Sequence, residues 1–334
     1  MNRKGLAVGG NMIVDQLYPV ERFAQAGELT TILRDMTFSI GGCVCNDIVD
    51  LAKIDPNMPL VALGRVGNDA QGQYVLSQMQ AYPNIDLQYV KQEGTTSYTL
   101  VIADEATKQR TFYQCRGANA AFCEEDIPWD ALDVDILHIG YILLLDALDE
   151  EDPEYGTKMA RLLHNAQSRG IKTSIDVVSE TGNRFRKLVS PALQYTDYCI
   201  INEVEAEATT GIPLRDPEGK LIRENFPKAL HAMKALGVST WAVIHCPEVG
   251  AGLDETNNYV EIPSLKLPDG YIKGSVGAGD AFCSGVLYAA WSGQDLKSAI
   301  ELGTASAACS LSEPGATEGL RSEKEIRALY NALR

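Results

Sequence analysis

Short runs of apolar residues recur along this chain, separated by longer amphipathic stretches, and that alternation sets the expected architecture. The runs at 5–9, 60–63, 136–139, 173–175, 198–201 and 240–245 read as buried strands. Between them lie amphipathic stretches long enough for helices, at 47–54, 71–81, 155–168, 225–236, 280–291 and 296–311. Strand–helix–strand alternation implies a mainly parallel sheet with helices on both faces.

Two stretches break the pattern. Residues 28–39 (ELTTILRDMTFS) and 96–116 (TSYTLVIADEATKQRTFYQCR) are rich in β-branched and aromatic residues and alternate with period two. The second has a turn-like centre at 104–108 and reads as a hairpin. Half-polar strands fit a small sheet with one exposed face, such as a flap over a cleft; an antiparallel extension of the main sheet is the competing arrangement. Residues 146–154 hold six acids in nine positions and read as a solvated loop, with Pro153 at a helix start.

Composition narrows the function classes. The 334 residues are 45% hydrophobic and 22% charged, a globular mixture sufficient for two domains or one large α/β domain with an elaboration. Against 45 Asp+Glu stand 29 Lys+Arg, a formal charge of −16. That balance argues against a broad electrostatic grip on nucleic acid or an anionic membrane. No transmembrane run occurs, and the opening apolar run breaks at Gly9-Gly10-Asn11 before Asp15, so no targeting segment is expected. The eight cysteines form no CxxC pair. The CxC at Cys43 and Cys45 has no matching His/Cys pair nearby, so both read as small core residues, and reduced thiols fit a cytoplasmic protein.

The chemistry concentrates in 269–291, DGYIKGSVGAGDAFCSGVLYAAW. A Gly-rich turn at 274–279 runs into an apolar helix. The first turn of such a helix presents unpaired N–H groups and the positive end of the dipole, a ready site for phosphate. Asp280 falls within that turn, where a carboxylate can accept a proton from an attacking hydroxyl. A helix-start acid after a tight loop is the alternative for this short motif alone. No GxxxxGK[ST] and no GxGxxG after the first strand are present.

The motifs together resemble the ribokinase-like (PfkB) sugar kinases. GSVGAGDAFCSG resembles that family's C-terminal DTxGAGDxFxxG signature, and Gly41-Gly42-Cys43-Val44-Cys45-Asn46 its GGxxxN element. Gly64-Arg65-Val66-Gly67-Asn68-Asp69-Ala70-Gln71-Gly72 resembles its GxxGxDxxG segment, Asn202-Glu203-Val204-Glu205 its NxxE motif, and Gly315-Ala316 its late GA turn. The elements occur in family order across almost the whole chain. The resemblance implies a large α/β domain over 1–14, 41–94 and 118–334, and a β-sheet lid over 15–40 and 95–117. It also implies MgATP as donor and a sugar hydroxyl as acceptor; a nucleoside acceptor, or a sugar-binding regulator without transfer, is the alternative.

By the same resemblance Asp280 is the base, and the N–H groups of Gly277, Ala278 and Gly279 form the anion hole. Asp15, Gly41, Gly42 and Asn46 face the sugar, joined by Arg116 returning from the lid and Asp176 at a strand end. Asn46 competes as a helix cap, and Asp176 lacks the family's usual Asn and Arg after it. Asn202 and Glu205 help hold Mg²⁺ through water. His245, Gly250, Thr304 and Gly315, with Asn202, fall on the nucleotide side, although His245-Cys246-Pro247 and Thr304 depart from the usual residues. Gly274 replaces the signature's leading Asp, which makes K⁺ activation doubtful. His138, His164 and His231 read as packing or surface residues. Pairing of exposed lid strands between subunits gives the expected homodimer.

Overall fold

A computed structural model of the protein describes residues 4–107, 109–179 and 184–334. Residues 1–3 of the expected large domain, Lys108 in the expected hairpin turn and Glu180 lie outside the described residues.

In chain order the strands are β1 (Leu6–Gly10), β2 (Ile13–Val20), β3 (Thr37–Gly41), β4 (Leu60–Val66), β5 (Ile85–Asp86), β6 (Val90–Gln92), β7 (Ser97–Asp104) and β8 (Arg110–Cys115). They continue with β9 (Ile136–Ile142), β10 (Glu151–Asp152), β11 (Gly156–Thr157), β12 (Lys172–Val177), β13 (Tyr198–Asn202), β14 (Trp241–His245), β15 (Val249–Leu253) and β16 (Tyr259–Pro263). The helices are α1 (Cys43–Ile54), α2 (Ala70–Met79), α3 (Lys158–Ser168), α4 (Phe185–Leu193), α5 (Glu203–Thr210), α6 (Phe226–Leu236), α7 (Ala278–Ser292), α8 (Leu296–Ser310) and α9 (Glu323–Leu333).

The larger sheet runs β16-β15-β14-β13-β12-β9-β1-β4-β5, with β6 also on β4. Each of the six apolar runs falls in one of its strands. Pairing is parallel from β14 through β5, and β15 and β16 add an antiparallel edge. Side chains alternate between its faces with period two. Leu6, Val8, Tyr198 and Ile200 join a core with α1, α7 and α8, whereas Ala7, Cys199 and Ile201 join a second core with α3, α4 and α6. Burial on both faces is why these strands read as unbroken apolar runs.

The smaller sheet runs β3-β2-β7-β8. The expected hairpin is present as β7–β8, and β2 pairs with β7 in parallel and with β3 antiparallel. The expectation of strand over 28–39 needs correction. Only its end enters β3, and the rest folds back on β2 through a single bridge between Val20 and Ile32. The alternation there has no core to face: Leu29 is 92% exposed.

Two further expectations change. The acidic segment 146–154 is not simply solvated: Asp149 and Asp152 are buried, and Asp152 accepts from Arg161 Nη1 at 2.8 Å. Pro153 does not start a helix; it lies between β10 and β11, and Thr157 caps α3 through the Ala160 N–H. Helix α1 begins earlier than the pattern indicates, after Gly42 turns the chain at φ 83°. Eleven of its twelve residues are buried, Asn46, Asp47 and Asp50 among them.

Candidate active site

Asn202 and His245, the last residues of β13 and β14, line one cavity with Ala278 and Gly279, which open α7. Gly277 sits at φ 75°, and a Cβ there would come within 2.5 Å of the Ala316 carbonyl oxygen, so only glycine fits. The residue caps α7 without a side-chain hydrogen bond. The leading N–H groups of α7 therefore point outward with the helix dipole behind them. The helix is held in place by close packing on α8, where a Cβ on Gly285 would meet Gly303 Cα at 2.8 Å.

Asp280, in the first turn, is held by two donors. Asn46 Nδ2 of α1 donates to Oδ2 at 2.8 Å, and the Tyr141 hydroxyl at the end of β9 donates to Oδ1 at 2.5 Å. Burial raises its pKa to about 7, the charge of Asp47 adds to the rise, and the two hydrogen bonds oppose it. A carboxylate poised near neutrality is suited to general-base work. Asn46 lies within α1 rather than at its cap, so its amide is free for this contact.

The residues expected on the sugar side lie on the smaller sheet, at the start of α1 and on β12. Asp15 lies on β2, between Ser39 of β3 and Thr99 of β7. Its carboxylate lies over Gly41, where a Cβ would meet Oδ2 at 2.4 Å, which accounts for the glycine. Burial raises the Asp15 pKa to about 6, against a hydrogen bond from Thr99. Arg116 turns instead toward the loop after β9: its Nη2 donates to the Leu143 carbonyl at 3.1 Å, and its Nε lies 3.8 Å from Asp146. Asp176 is buried on β12, and burial followed by the charges of Glu205 and Asp280 raises its pKa.

On the opposite side Asn202 caps α5, and Glu205 closes a capping box with it. Ser179 Oγ donates to Glu205 Oε1 at 2.8 Å, and the Asn202 amide donates to Ser179 Oγ at 3.1 Å. Glu205 is buried, and its pKa rises to about 7 chiefly from desolvation. Asp176 and Glu205 are two buried carboxylates whose raised proton affinity a divalent cation held through its waters would relieve.

Beyond them opens a cavity of about 710 Å³ lined by Asn202, His245, Gly250, Ala278, Gly279 and Thr304, among others. His245 stacks on Phe282 with ring centroids 4.8 Å apart, and burial lowers its pKa to about 4, so the ring is neutral. A Cβ on Gly250 would strike the same Phe282 ring at 3.0 Å. Thr304 Oγ1 is buried without a hydrogen-bond partner among the described residues. Gly315 is not in this lining; it adjoins Ala316 behind the Gly277 turn.

Residues 3–323 match the pfkB family carbohydrate kinases. The chain belongs to that family. A pfkB carbohydrate kinase transfers phosphate to a hydroxyl, and that is the class of this enzyme. A ribokinase of Staphylococcus aureus is 22% identical over 320 residues, covering 95% of this chain and 96% of its own. The crystal structure of ribokinase from Thermotoga maritima superposes with a TM-score of 0.79 at 23% identity, over 98% of this chain and 99% of that one. Arabidopsis thaliana ribokinase, complexed with ribose and ATP, gives 0.78 at 19% identity, again over 98% and 99%. Within this pfkB chain, one contact to Asp280 escaped the sequence. Tyr141 belongs to no motif quoted above; its trace is a polar-tipped residue inside the apolar stretch 136–145. Asn11 Oδ1 accepts from the Tyr141 N–H at 2.8 Å and so fixes the strand end that presents the phenol.

Proposed function

We propose that this kinase transfers the γ-phosphate of ATP to a sugar hydroxyl, with Asp280 as general base and the N–H groups of Gly277, Ala278 and Gly279 as the anion hole. One arrangement carries the reading: Ala278 and Gly279 line the large cavity, while Asp280, next in the chain, directs its carboxylate to Asn46 on the other side. The helix start thus stands between a nucleotide-sized space and a group of hydroxyl-binding residues. The ribose and ATP bound by the Arabidopsis relative motivate the choice of substrates.

In the reaction, Asp280 takes the proton of the acceptor hydroxyl as that oxygen attacks the γ-phosphorus. The new O–P bond forms as the bond from phosphorus to the bridging oxygen of ADP breaks, and the proton passes to solvent after release. Charge growing on the migrating group meets N–H groups already aimed at it. Asp15, Gly41, Gly42 and Asn46 orient the acceptor, with Arg116 at the margin. Asn202 and Glu205, with Asp176 opposite, would hold Mg²⁺ through its waters; when bound, the ion neutralises phosphate charge. His245, Gly250 and Thr304 receive the base of the nucleotide, and Gly315 supports the phosphate turn.

The strands of 15–40 and 95–117 act as a lid that excludes water from the transfer. The face of its sheet opposite Asp15 bears Tyr113, 60% exposed, and Phe38, 46% exposed, an apolar surface suited to a second copy of this chain. The test is ADP release across ketoses, aldoses, sugar acids and nucleosides. Activity on nucleosides alone overturns the sugar assignment. Sugar binding by calorimetry with neither nucleotide binding nor turnover marks a regulator instead.

A further inference from the structure

Behind the base lies a carboxylate that touches no solvent. Asp47, one residue past Asn46 on α1, is fully buried. Its Oδ1 accepts from Ser284 Oγ at 3.0 Å, and its backbone carbonyl lies 3.3 Å from the same hydroxyl. Its Oδ2 accepts from Cys43 Sγ at 3.2 Å and stands 3.3 Å from His138 Nε2. Burial keeps the Cys43 thiol well above its ordinary pKa, so the group stays an S–H donor. His138 is also fully buried, with Nδ1 2.9 Å from Ser174 Oγ on β12.

The partners of Asp47 have one thing in common. Ser284 follows Asp280 by four residues, one turn along α7, so the two share a helix face. His138 precedes Tyr141 by three residues on β9. Asp47 itself adjoins Asn46 on α1. One side chain therefore ties together the three elements that carry the base and both of its donors. An interior carboxylate costs several kcal/mol unless its lone pairs are met. An uncharged residue could fill the same space, so packing alone does not account for an acid here.

We propose that Asp47 is a positioning residue for phosphoryl transfer: from the interior it locks α1, α7 and β9 in register, and its charge holds the base ready to take a proton. The proposal rests on the reading of Asp280 as that base. The titratable groups facing Asp280 are Cys43, Asp47 and Asp50 from α1, Tyr141 from β9, Asp176 from β12, Glu205 from α5 and Cys283 from its own helix, with His138 of β9 on the far side of Asp47. Burial, and after it the charge of Asp47, raises the proton affinity of Asp280. Removing that one negative charge while keeping the shape lowers the proton affinity of Asp280 and weakens it as a base.

The experiment compares Asp47→Asn with Ser284→Ala, which loosens the clamp and leaves the charge. In Asp47→Asn kcat falls by about 10- to 100-fold, as for small misplacements of reacting groups, while KM for ATP and acceptor stays nearly constant. The acid limb of kcat/KM moves to lower pH. In Ser284→Ala kcat falls and the limb stays in place. A second readout needs no turnover: the carboxyl carbon resonance of Asp280, assigned by its loss in Asp280→Asn, titrates at lower pH in Asp47→Asn than in the wild type. A wild type that phosphorylates nothing refutes the kinase reading and leaves this titration to decide the present one. Should Asp47→Asn fail to fold, Ser284→Ala and His138→Gln decide, a fall in kcat at constant KM sustaining the proposal and an unchanged kcat in both overturning it. A folded Asp47→Asn whose Asp280 titrates as in the wild type overturns it outright.

Discussion

Replacing Asp280 with asparagine separates catalysis from stability in a way that can be worked out beforehand. The Tyr141 hydroxyl can still donate to the remaining carbonyl oxygen. Asn46 Oδ1 has no partner among the described residues, so its amide can turn over and accept from the new N–H. The packing therefore survives. Turnover does not: loss of a general base costs about 10²- to 10⁴-fold. The stability change has the opposite sign. The carboxyl is raised from 3.8 to about 7, chiefly by burial and then by Asp47. Between those values the unfolded chain has released this proton and the folded one retains it, so the folded protein loses stability as pH climbs through the window. Three units at ~1.4 kcal/mol each set a ceiling of about 4 kcal/mol, and residual exposure at the cleft brings the working figure to about 2 kcal/mol. The variant should melt above the wild type at pH 8, with a smaller gain at pH 5. Coupled ADP release and thermal unfolding at both pH values supply the measurements. Wild-type turnover in the variant would remove Asp280 from proton transfer. A lower melting point at pH 8 would refute the account of its burial.

Tyr141→Phe removes a donor that lowers the proton affinity of Asp280, so the acid limb of kcat/KM should move to higher pH and kcat should drop about tenfold, the worth of one hydrogen bond to a charged group; a pH–rate profile checks both. Glu205→Gln removes a carboxylate proposed to hold Mg²⁺ through its waters, so the Mg²⁺ concentration giving half-maximal rate should rise while the acceptor KM holds, as a magnesium titration would report. Tyr113→Glu puts a charge on the apolar face of the lid opposite Asp15, and light scattering should find a dimer in the wild type and a monomer in the variant.

The larger sheet was legible because its strands are buried on both faces and carry unbroken apolar runs such as 198–201. The β7–β8 hairpin was legible from its alternation. Strand β2 was not, since Ile13–Val20 follows β1 after a break of two residues and only the chain path shows that it leaves for the other sheet. Residues 28–39 misled for the converse reason: alternation signals a face to bury, and no face is available there. In the site, glycines and motif acids announced themselves through spacing. Asp47 and Asp50 did not, because polar residues on a helix ordinarily mark its solvent side, and α1 has almost none. Tyr141 and His138 act through contacts with residues far away in the sequence, which no local pattern encodes.

Asp15 stands on the smaller sheet, and Asp280 on a helix of the larger one. The two acids that would meet an acceptor thus belong to separate bodies of the molecule, encoded by separate stretches of the gene. Drift in the strand segments could exchange one sugar for another while the phosphate machinery is inherited untouched. A chimera carrying foreign strand segments on this scaffold would then adopt the donor's diet and keep its own engine.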